Sequence, residues 1–371
     1  MKSGGSYIFN DRLVYRNQEE YVVVDRPKVV QYIDAAMNQP DLDGFRKHIT
    51  NLKLALENPD EDLITSNGQG FSLRLEPFLT DIKQILDAYT LERARYYAER
   101  LKKGLSEVKT TKVNDINVRR WKDYDEVFTD SLWNINRRDS SGAHLGWYWG
   151  NFIPQIPHQL MLRYTKKGEL VVDPFLGSGT TLIECRRLGR HGLGVELNPK
   201  TLHKARELVE AEENRHNVIT RLIVGDSRVF DFEAAIRAMG FSAIDLLLMH
   251  PPYHDIIRFG SDENDLSNAK STRDFLHMFG EVLDNTLPLL RKGRYLGIVI
   301  GDKYSQGEWI PLGFYCMQEA MNRGLSLKSI VVKNFEETKG KRNQKALWRY
   351  RALLGGFYVF KHEYILVLRK V

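Results

Sequence analysis

The chain has 371 residues, of which 42% are hydrophobic and 11% aromatic, and it carries a formal net charge of +6. This length allows one large α/β domain with an accessory region, and the aromatic content excludes a disordered chain. The sequence contains no run of about 18 apolar residues and begins without the apolar core of a signal peptide, so we expect no membrane partner and a cytoplasmic location. The modest positive charge is compatible with a polyanionic partner without demanding one.

The only two cysteines, Cys185 and Cys316, lie in apolar, helical-looking contexts. We expect both to be buried thiols in a reducing compartment. Neither belongs to a CxxC pair, so we expect no metal site.

Residues 1–130 differ in pattern from the rest of the chain. The segments 27–38, 43–58 and 78–105 are charged and have helical periodicity. Part of this region is rich in cations, namely Arg93, Arg95, Arg100, Lys102, Lys103, Arg119 and Arg120. These cations indicate either solvated helix faces or a surface that contacts phosphates. We therefore expect residues 1–130 to form a helical accessory region for DNA binding or oligomerisation, with a homodimer as one open assembly.

From about residue 168 onward, short apolar runs alternate with helical segments. The predicted strands are 169–173, 192–196, 219–226, 244–250, 294–302, 325–333 and a last one within 356–370. This alternation predicts an α/β fold with a doubly wound, Rossmann-like, mainly parallel sheet, and we assign the catalytic domain to residues 131–371. In such a sheet the first and fourth strands are neighbours where the strand order reverses, and ligands bind there.

A glycine-rich turn, DPFLGSGTT at 173–181, follows the first of these strands. Gly177 and Gly179 allow the backbone to pass close to a ligand, because they carry no Cβ. The second strand ends in Glu196, whose carboxylate suits ribose hydroxyls, and the third ends beside Asp226, which suits an adenine amine. Taken singly, each of these two acids is equally well explained as a solvated residue at a strand end.

The turn lacks the lysine of a GxxxxGK[ST] phosphate loop and does not match GxGxxG. A cofactor without phosphates fits this absence, and a carboxylate at Asp173 favours a positively charged ligand. These features together indicate an adenosine that carries a sulfonium, which is S-adenosylmethionine. The predicted cofactor-binding residues are Asp173, Phe175, Gly177, Ser178, Gly179, Thr180, Glu196 and Asp226.

The fourth strand ends in the tetrapeptide His250, Pro251, Pro252 and Tyr253, which we predict to be catalytic. The amine of adenine or cytosine is a poor nucleophile because its lone pair is delocalised into the ring. The carbonyl of Pro251 and the side chain of His250 are two acceptors that would localise that lone pair. The successive prolines fix the backbone of this loop, and Tyr253 can stack on a base flipped out of the duplex. The alternative interpretation is a rigid turn with a packed tyrosine.

DPFLGSGTT and HPPY resemble the motifs of the amino-methyltransferases that modify adenine N6 or cytosine N4 in DNA. Residues 152–173 resemble the family's segment over the methionine part of the cofactor, and 289–302 and 362–370 resemble its later strands. The likeness covers residues 145–371. It departs at His250, where the family usually has Asp, Asn or Ser. A neutral imidazole still has one acceptor nitrogen, whereas a protonated imidazole has none. We therefore expect activity to fall below about pH 6.5, the reference pKa of histidine.

The segment 339–351 is a candidate for contacting nucleic acid, because basic and aromatic residues alternate in it. Its predicted nucleic-acid-binding residues are Lys341, Arg342, Lys345, Trp348, Arg349 and Arg351. The alternative is an ordinary solvated hairpin loop. A further polar segment, 258–274, follows the tetrapeptide, and we expect it to become ordered over the flipped base.

The resemblance implies a site-specific DNA methyltransferase of the restriction-modification kind, with DNA as its partner and adenine N6 slightly favoured over cytosine N4. Two alternatives stay open. One is an RNA base methyltransferase. The other is a non-catalytic subunit that keeps the methyltransferase fold and binds nucleic acid, with His250 as the mark of lost activity.

Overall fold

The computed structural model describes residues 21–57, 71–334 and 345–371, without the side chain of Lys345. They fall into two units. The first comprises the described residues up to Lys112 together with Ile116–Glu126, and the second comprises Val113–Asp115 and Val127–Val371. In these described ranges, no helix combines the length and the apolar character that a membrane crossing requires.

The first unit is a helical bundle with one short hairpin. Its elements are β1 (Tyr21–Val24), α1 (Arg26–Met37), α2 (Leu42–Glu57), β2 (Phe71–Arg74), α3 (Leu75–Leu86) and α4 (Leu91–Ser106). The three segments with helical periodicity are helical, but 78–105 is divided between α3 and α4. The division has a local cause, because the side chain of Thr90 accepts a hydrogen bond from the backbone N–H of Arg93 and caps α4. The antiparallel pairing of β1 with β2 was not predicted.

The basic residues of the first unit are largely balanced by neighbouring acids. Lys102 lies 2.5 Å from Asp34, Lys103 lies 3.2 Å from Glu99, and Arg119 pairs with Glu107. The remaining members of the cluster also have partners, which are Tyr97 for Arg93, Gln39 for Arg95, Gln84 for Arg100 and Asp123 for Arg120. These contacts favour the interpretation of the cluster as solvated helix faces.

The second unit is built on an eight-stranded sheet flanked by helices. Its strands are β3 (Leu132–Trp133), β4 (Leu170–Asp173), β5 (His191–Glu196), β6 (Thr220–Val224), β7 (Ile244–Met249), β8 (Leu290–Ile300), the hairpin of β9 (Lys303–Ser305) and β10 (Glu308–Ile310), β11 (Leu325–Asn334) and β12 (His362–Lys370). Its helices are α5 (Gln155–Tyr164), α6 (Thr180–Leu188), α7 (Pro199–Ala211), α8 (Phe232–Ala238), α9 (Thr272–Thr286), α10 (Leu312–Asn322) and α11 (Lys345–Gly355).

The strand order of the large sheet is β3-β11-β12-β8-β7-β4-β5-β6. The run from β8 to β6 is parallel, whereas β12 is antiparallel to both β8 and β11. β4 pairs directly with β7, so the strand order reverses between the first and fourth strands of the parallel run. The predicted doubly wound α/β class is confirmed, with one antiparallel strand, β12, between β8 and β11.

Both faces of the sheet are covered, which explains the unbroken apolar runs of its central strands. Every residue of β4 and β7 is buried. Phe275 and Phe279 of α9 belong to the core on one face, and Ile156 and Leu160 of α5 belong to the core on the other. Cys185 and Cys316 are both buried thiols without a disulfide, as expected.

A buried carboxylate on α6 ties the helix that follows the glycine-rich turn to its surroundings. Glu184 is fully buried, and its two oxygens lie 2.6 Å from Nε2 of His144 and 2.7 Å from Nδ1 of His158. Arg187 lies 3.6 Å away on the same helix. Burial alone would raise the pKa of Glu184, but His158 and His144 outweigh it and hold the pKa well below its ordinary value. The carboxylate is therefore charged and paired.

Replacing this carboxylate should destabilise the second unit strongly. We expect Glu184→Ala to lower the free energy of unfolding by about 3–5 kcal/mol, because two histidines and an arginine lose a buried partner. The matched control is Glu207→Ala, which removes an exposed pair with Lys204 on α7 and should leave stability unchanged. Equilibrium urea unfolding of both variants makes the comparison. Equal stability of Glu184→Ala and the wild-type chain would contradict this account of the buried cluster.

Candidate active site

The glycine-rich turn connects β4 to α6 and requires glycine at two positions. Gly177 and Gly179 have φ values of +53° and +84°, in the left-handed region. A Cβ on Gly179 would lie 2.9 Å from a methyl carbon of Val209. A Cβ on Gly177 would lie 3.2 Å from the ring of Tyr148. The turn is thus packed tightly against α7 on one side and an aromatic ring on another.

Asp173, at the end of β4, uses both carboxylate oxygens inside the turn. One accepts the backbone N–H of Phe175 at 2.9 Å, and the other accepts the hydroxyl of Thr181 at 2.5 Å. The side chain is fully buried, and this burial raises the pKa of Asp173 to about 7. In the structure Asp173 holds the turn onto the start of α6.

Glu196, at the end of β5, faces the same turn. Its carboxylate accepts the backbone N–H groups of Gly177 and Asn198, both at 2.9 Å. Burial raises the pKa of Glu196, and these backbone hydrogen bonds partly offset the rise. Because a carboxylate has about four acceptor positions, Glu196 keeps acceptor capacity for a ligand hydroxyl.

Asp226 follows β6 and is engaged by a residue that sequence reasoning missed. Arg228 donates to one oxygen of Asp226 from Nη2 at 2.7 Å and to the other from Nε at 3.1 Å. Nη2 of Arg228 also donates to Asn264, at 2.6 Å, in the polar segment 258–274. Asp226, the acceptor expected for an adenine amine, therefore already accepts hydrogen bonds from the Arg228 guanidinium.

Two partly buried residues, one of them in contact with the turn, have buried nitrogens without a hydrogen-bond partner among the described residues. Asn151 accepts the hydroxyl of Thr180 at 2.9 Å, but its Nδ2 has no partner there. Arg138 donates to the carbonyl of Phe152 at 2.8 Å, whereas its Nε and Nη2 are buried and unpaired. Burial lowers the pKa of Arg138. Buried unpaired donors are costly, and a carboxylate ligand would satisfy them.

Asn151 contacts the hydroxyl of Thr180, which lies 3.1 Å from that of Ser178, and Arg138 lies beside the backbone carbonyls of Asn151 and Phe152. Sequence reasoning missed both Arg138 and Asn151. The only signal in the sequence is the polar, cationic stretch that precedes α5. The donor set, together with Glu196, fits a ligand that carries both ribose hydroxyls and an amino-acid carboxylate.

The tetrapeptide continues directly from β7, beside β4, so it lies at the same sheet edge as the glycine-rich turn. Pro251 is buried, whereas His250 and Tyr253 are partly buried. The His250 ring packs edge-on against Phe152 with 4.9 Å between ring centroids. Phe152 follows Asn151, so the tetrapeptide and the unsatisfied donors share one neighbourhood.

Tyr253 is held by groups from three other strands or strand ends. Its ring lies over Gly301, where a Cβ would come within 2.9 Å of Cε2. Its hydroxyl donates to Glu363 at 2.8 Å and lies 3.3 Å from Nε2 of His250. Glu363 in turn accepts from Lys333 at 2.9 Å. Glu363 and Lys333 were not foreseen, and each is a charged residue near the end of a strand that carries other polar residues.

The environment of His250 corrects the expected pH dependence. Burial lowers the pKa of His250 to about 4, and nearby Lys333 adds to the effect while Glu363 opposes it. The expectation of a fall near pH 6.5 used the reference pKa, and this value does not hold for the partly buried ring of His250. At neutral pH the imidazole is uncharged and offers one acceptor nitrogen.

The turn after the tetrapeptide is strained and well anchored. His254 has φ = +52°, which is unusual for a residue other than glycine. Its ring is buried, with Nδ1 3.0 Å from Lys303 and Nε2 3.0 Å from the carbonyl of Ala269. Lys303 also pairs with Asp255. These contacts fix the direction in which the chain leaves Tyr253.

The predicted nucleic-acid-binding segment is only partly described. Lys341 and Arg342 lie outside the described residues, and Lys345 begins α11. Residues from 345 to 355 form a helix, so the alternative of a hairpin loop is wrong for this part. Arg349 and Arg351 are exposed on α11, and the Arg351 guanidinium lies 5.2 Å from the centre of the Trp348 ring. These two cations are thus placed on one helix next to an aromatic side chain.

One buried cluster has the spacing of a metal site. Asp139, His144 and Glu184 each place a ligand atom within 4.8 Å of the others. Arg187 already lies in this cluster, 3.2 Å from Asp139, and supplies positive charge there. The expectation that the chain binds no metal stays a prediction.

Comparisons with curated proteins find type II methyltransferases. The chain is 40% identical over 52 residues to the type II methyltransferase M.MjaII of Methanocaldococcus jannaschii, covering 14% of this chain and 10% of that one. It is 35% identical over 89 residues to the type II methyltransferase M.Cfr9I of Citrobacter freundii, covering 24% and 28%. The matched stretches thus span less than a third of these curated relatives.

Among solved structures, the chain matches TrmN from Thermus thermophilus with 16% identity and a TM-score of 0.38, over 95% of this chain and 82% of that one. The N6/N4 DNA methylase profile matches residues 3–207, which is more than half of the chain. This match includes the N-terminal helices, which sequence analysis had left outside the resemblance, and it ends before the tetrapeptide. The chain belongs to the N6/N4 DNA methylase family.

Proposed function

We propose that this chain transfers a methyl group from S-adenosylmethionine to an exocyclic amine of a flipped-out base in DNA, with adenine N6 slightly favoured over cytosine N4. One observation carries the proposal. The pairing of β4 with β7 brings the glycine-rich turn and the His250–Tyr253 tetrapeptide to one edge of the sheet. Membership of the DNA methylase family supports it.

The cofactor would bind through the groups around the turn. Glu196 has acceptor positions for the ribose hydroxyls, and the unsatisfied nitrogens of Asn151 and Arg138 suit the methionine carboxylate. The loop around the cofactor would comprise Asp173, Phe175, Gly177, Ser178, Gly179 and Thr180. The carboxylate of Asp226 would accept hydrogen bonds from both Arg228 and the adenine amine. S-adenosylmethionine supplies an electrophilic methyl group on sulfur.

The tetrapeptide would prepare the amine for attack. The Pro251 carbonyl and the neutral ring of His250 accept hydrogen bonds from the two amine N–H groups, and the nitrogen lone pair is then localised toward the methyl donor. Pro251 and Pro252 fix the backbone so that these acceptors are preorganised. Tyr253 stacks on the flipped base, and its ring is held in place by Gly301 and Glu363.

DNA would contact the region between β11 and β12. Trp348, Arg349 and Arg351 lie on α11, which begins at Lys345, and we keep Lys345 and the residues Lys341 and Arg342, outside the described ranges, as predicted contacts. We propose the first unit as an accessory region for DNA binding or oligomerisation, with a homodimer as one assembly. The balanced charges of its helices favour contacts other than phosphates.

A direct assay separates this function from its alternatives. With labelled S-adenosylmethionine, we expect incorporation into double-stranded DNA, and Tyr253→Ala should abolish transfer while leaving cofactor affinity within about twofold, since the ring contacts the base. Mapping the modified base distinguishes adenine N6 from cytosine N4. Incorporation into RNA alone would favour the RNA methyltransferase. No incorporation, together with no cofactor binding by calorimetry, would favour a non-catalytic subunit.

The pH dependence of activity should reflect the lowered pKa of His250. Because the pKa of His250 is lowered to about 4, its ring stays neutral and accepting at higher pH and loses its acceptor only as pH falls through that value. We expect kcat/KM to stay level from pH 8 to about 5.5 and to decline toward pH 4. The control is His250→Asn, whose amide oxygen does not titrate, so the His250-dependent decline should disappear. Half-maximal activity near pH 6.5 that His250→Asn removes would contradict this assignment.

A further inference from the structure

We propose that Glu363 is a positioning residue that sets the tautomer of His250 through the hydroxyl of Tyr253, leaving Nδ1 of His250 as the acceptor for the base amine. The inference rests on the proposed function, because it assigns the accepting atom of that reaction. It explains how a histidine can stand where the family usually has Asp, Asn or Ser.

Four residues are connected by successive polar contacts, and we call them the relay: Lys333, Glu363, Tyr253 and His250. Lys333 and Glu363 stand directly opposite each other in the antiparallel pairing of β11 with β12. Both are buried, at 6% and 8% exposed. The Lys333 ammonium donates to one oxygen of Glu363 at 2.9 Å, and the Tyr253 hydroxyl donates to the other at 2.8 Å. The relay ends where Nε2 of His250 lies 3.3 Å from the same hydroxyl oxygen.

The direction of each hydrogen bond follows from how many protons each group holds. A charged carboxylate can only accept, so the single proton of the Tyr253 hydroxyl is committed to Glu363. The opposite arrangement would place two acceptor oxygens 2.8 Å apart without a proton between them. The Tyr253 oxygen is then available only as an acceptor toward His250. Nε2 must therefore carry the ring proton, and Nδ1 keeps its lone pair.

The charge states of the three groups agree with this direction. Burial alone would raise the pKa of Glu363, but the charge and the hydrogen bond of Lys333 lower it, so the carboxylate is ionised. Burial and Glu363 raise the pKa of Tyr253 well above 10, so the hydroxyl keeps its proton. Burial keeps His250 neutral, so only one of its nitrogens is protonated.

Another tyrosine, Tyr364 on β12, provides a matched control. Tyr364 donates to Asp302 at 3.2 Å and lies 3.1 Å from Nε2 of His362. Tyr364 follows Glu363 on β12, and its contacts combine a tyrosine, a carboxylate and a histidine as the relay does. These contacts do not include the tetrapeptide. Tyr364→Phe should therefore change local hydrogen bonding without changing the tautomer of His250.

The tautomer can be measured independently of activity. In protein labelled with ¹⁵N at its ten histidines, the chemical shifts of the two ring nitrogens distinguish the protonated from the unprotonated atom. His250→Asn identifies the signal by its loss. We expect His250 in the wild-type chain to carry its proton on Nε2, and Tyr364→Phe to leave this signal unchanged.

Glu363→Gln should reverse the relay while keeping its shape. The amide oxygen faces Lys333, and the amide nitrogen then donates to the Tyr253 oxygen, so the hydroxyl must donate to His250. We expect the ring proton to move to Nδ1 and kcat to fall about 100-fold, with the cofactor Kd within about twofold of the wild-type value. Tyr253→Phe keeps the stacking ring but breaks the relay, so both tautomers of His250 should be populated.

Two results would overturn the relay. One is a wild-type His250 with its proton on Nδ1, and the other is a Glu363→Gln variant whose His250 tautomer and kcat match the wild-type chain. A wild-type chain that shows the Nε2 proton but methylates no nucleic acid would instead refute the proposed function, and the tautomer assignment would stand.

Discussion

The parallel pairing of β4 with β7 is the constraint on which the rest of the site depends. Parallel strands end at the same edge of a sheet, and this pair lies where the strand order reverses, so the turn after β4 and the tetrapeptide after β7 must share a crevice. Both strands are completely buried, so this pair lies in the core with helices on both faces. The function proposed here depends on that adjacency more than on any single side chain.

Buried charges then orient the groups that the sheet brings together. Glu184 ties the segment around His144 and helix α5 to α6, which carries the glycine-rich turn. Glu363 performs the equivalent role on the other side, where it holds Tyr253 with the help of Lys333. Each carboxylate is paired on both oxygens, and a buried ion pair with satisfied partners restricts geometry even when its net contribution to stability is small.

Much of this arrangement could be predicted from the sequence, because it is encoded locally. The strand and helix alternation predicts the sheet, and Gly177, Gly179 and the HPPY tetrapeptide lie at strand ends that short-range patterns locate. The supporting residues could not be found in this way. Glu363 lies 110 residues from Tyr253 in the chain, and only the antiparallel strand β12 brings them together. Arg228 is near Asp226 in sequence, but its bond depends on side-chain conformation. The pKa of His250 depends on burial, which no local pattern reports.

The structure of the chain with bound S-adenosylhomocysteine tests the central claim most directly. The account predicts that the ribose hydroxyls contact Glu196, that the carboxylate contacts Asn151 and Arg138, and that the sulfur faces His250 and Pro251. A ligand whose ribose lies away from Glu196, or whose sulfur faces away from the tetrapeptide, would contradict it.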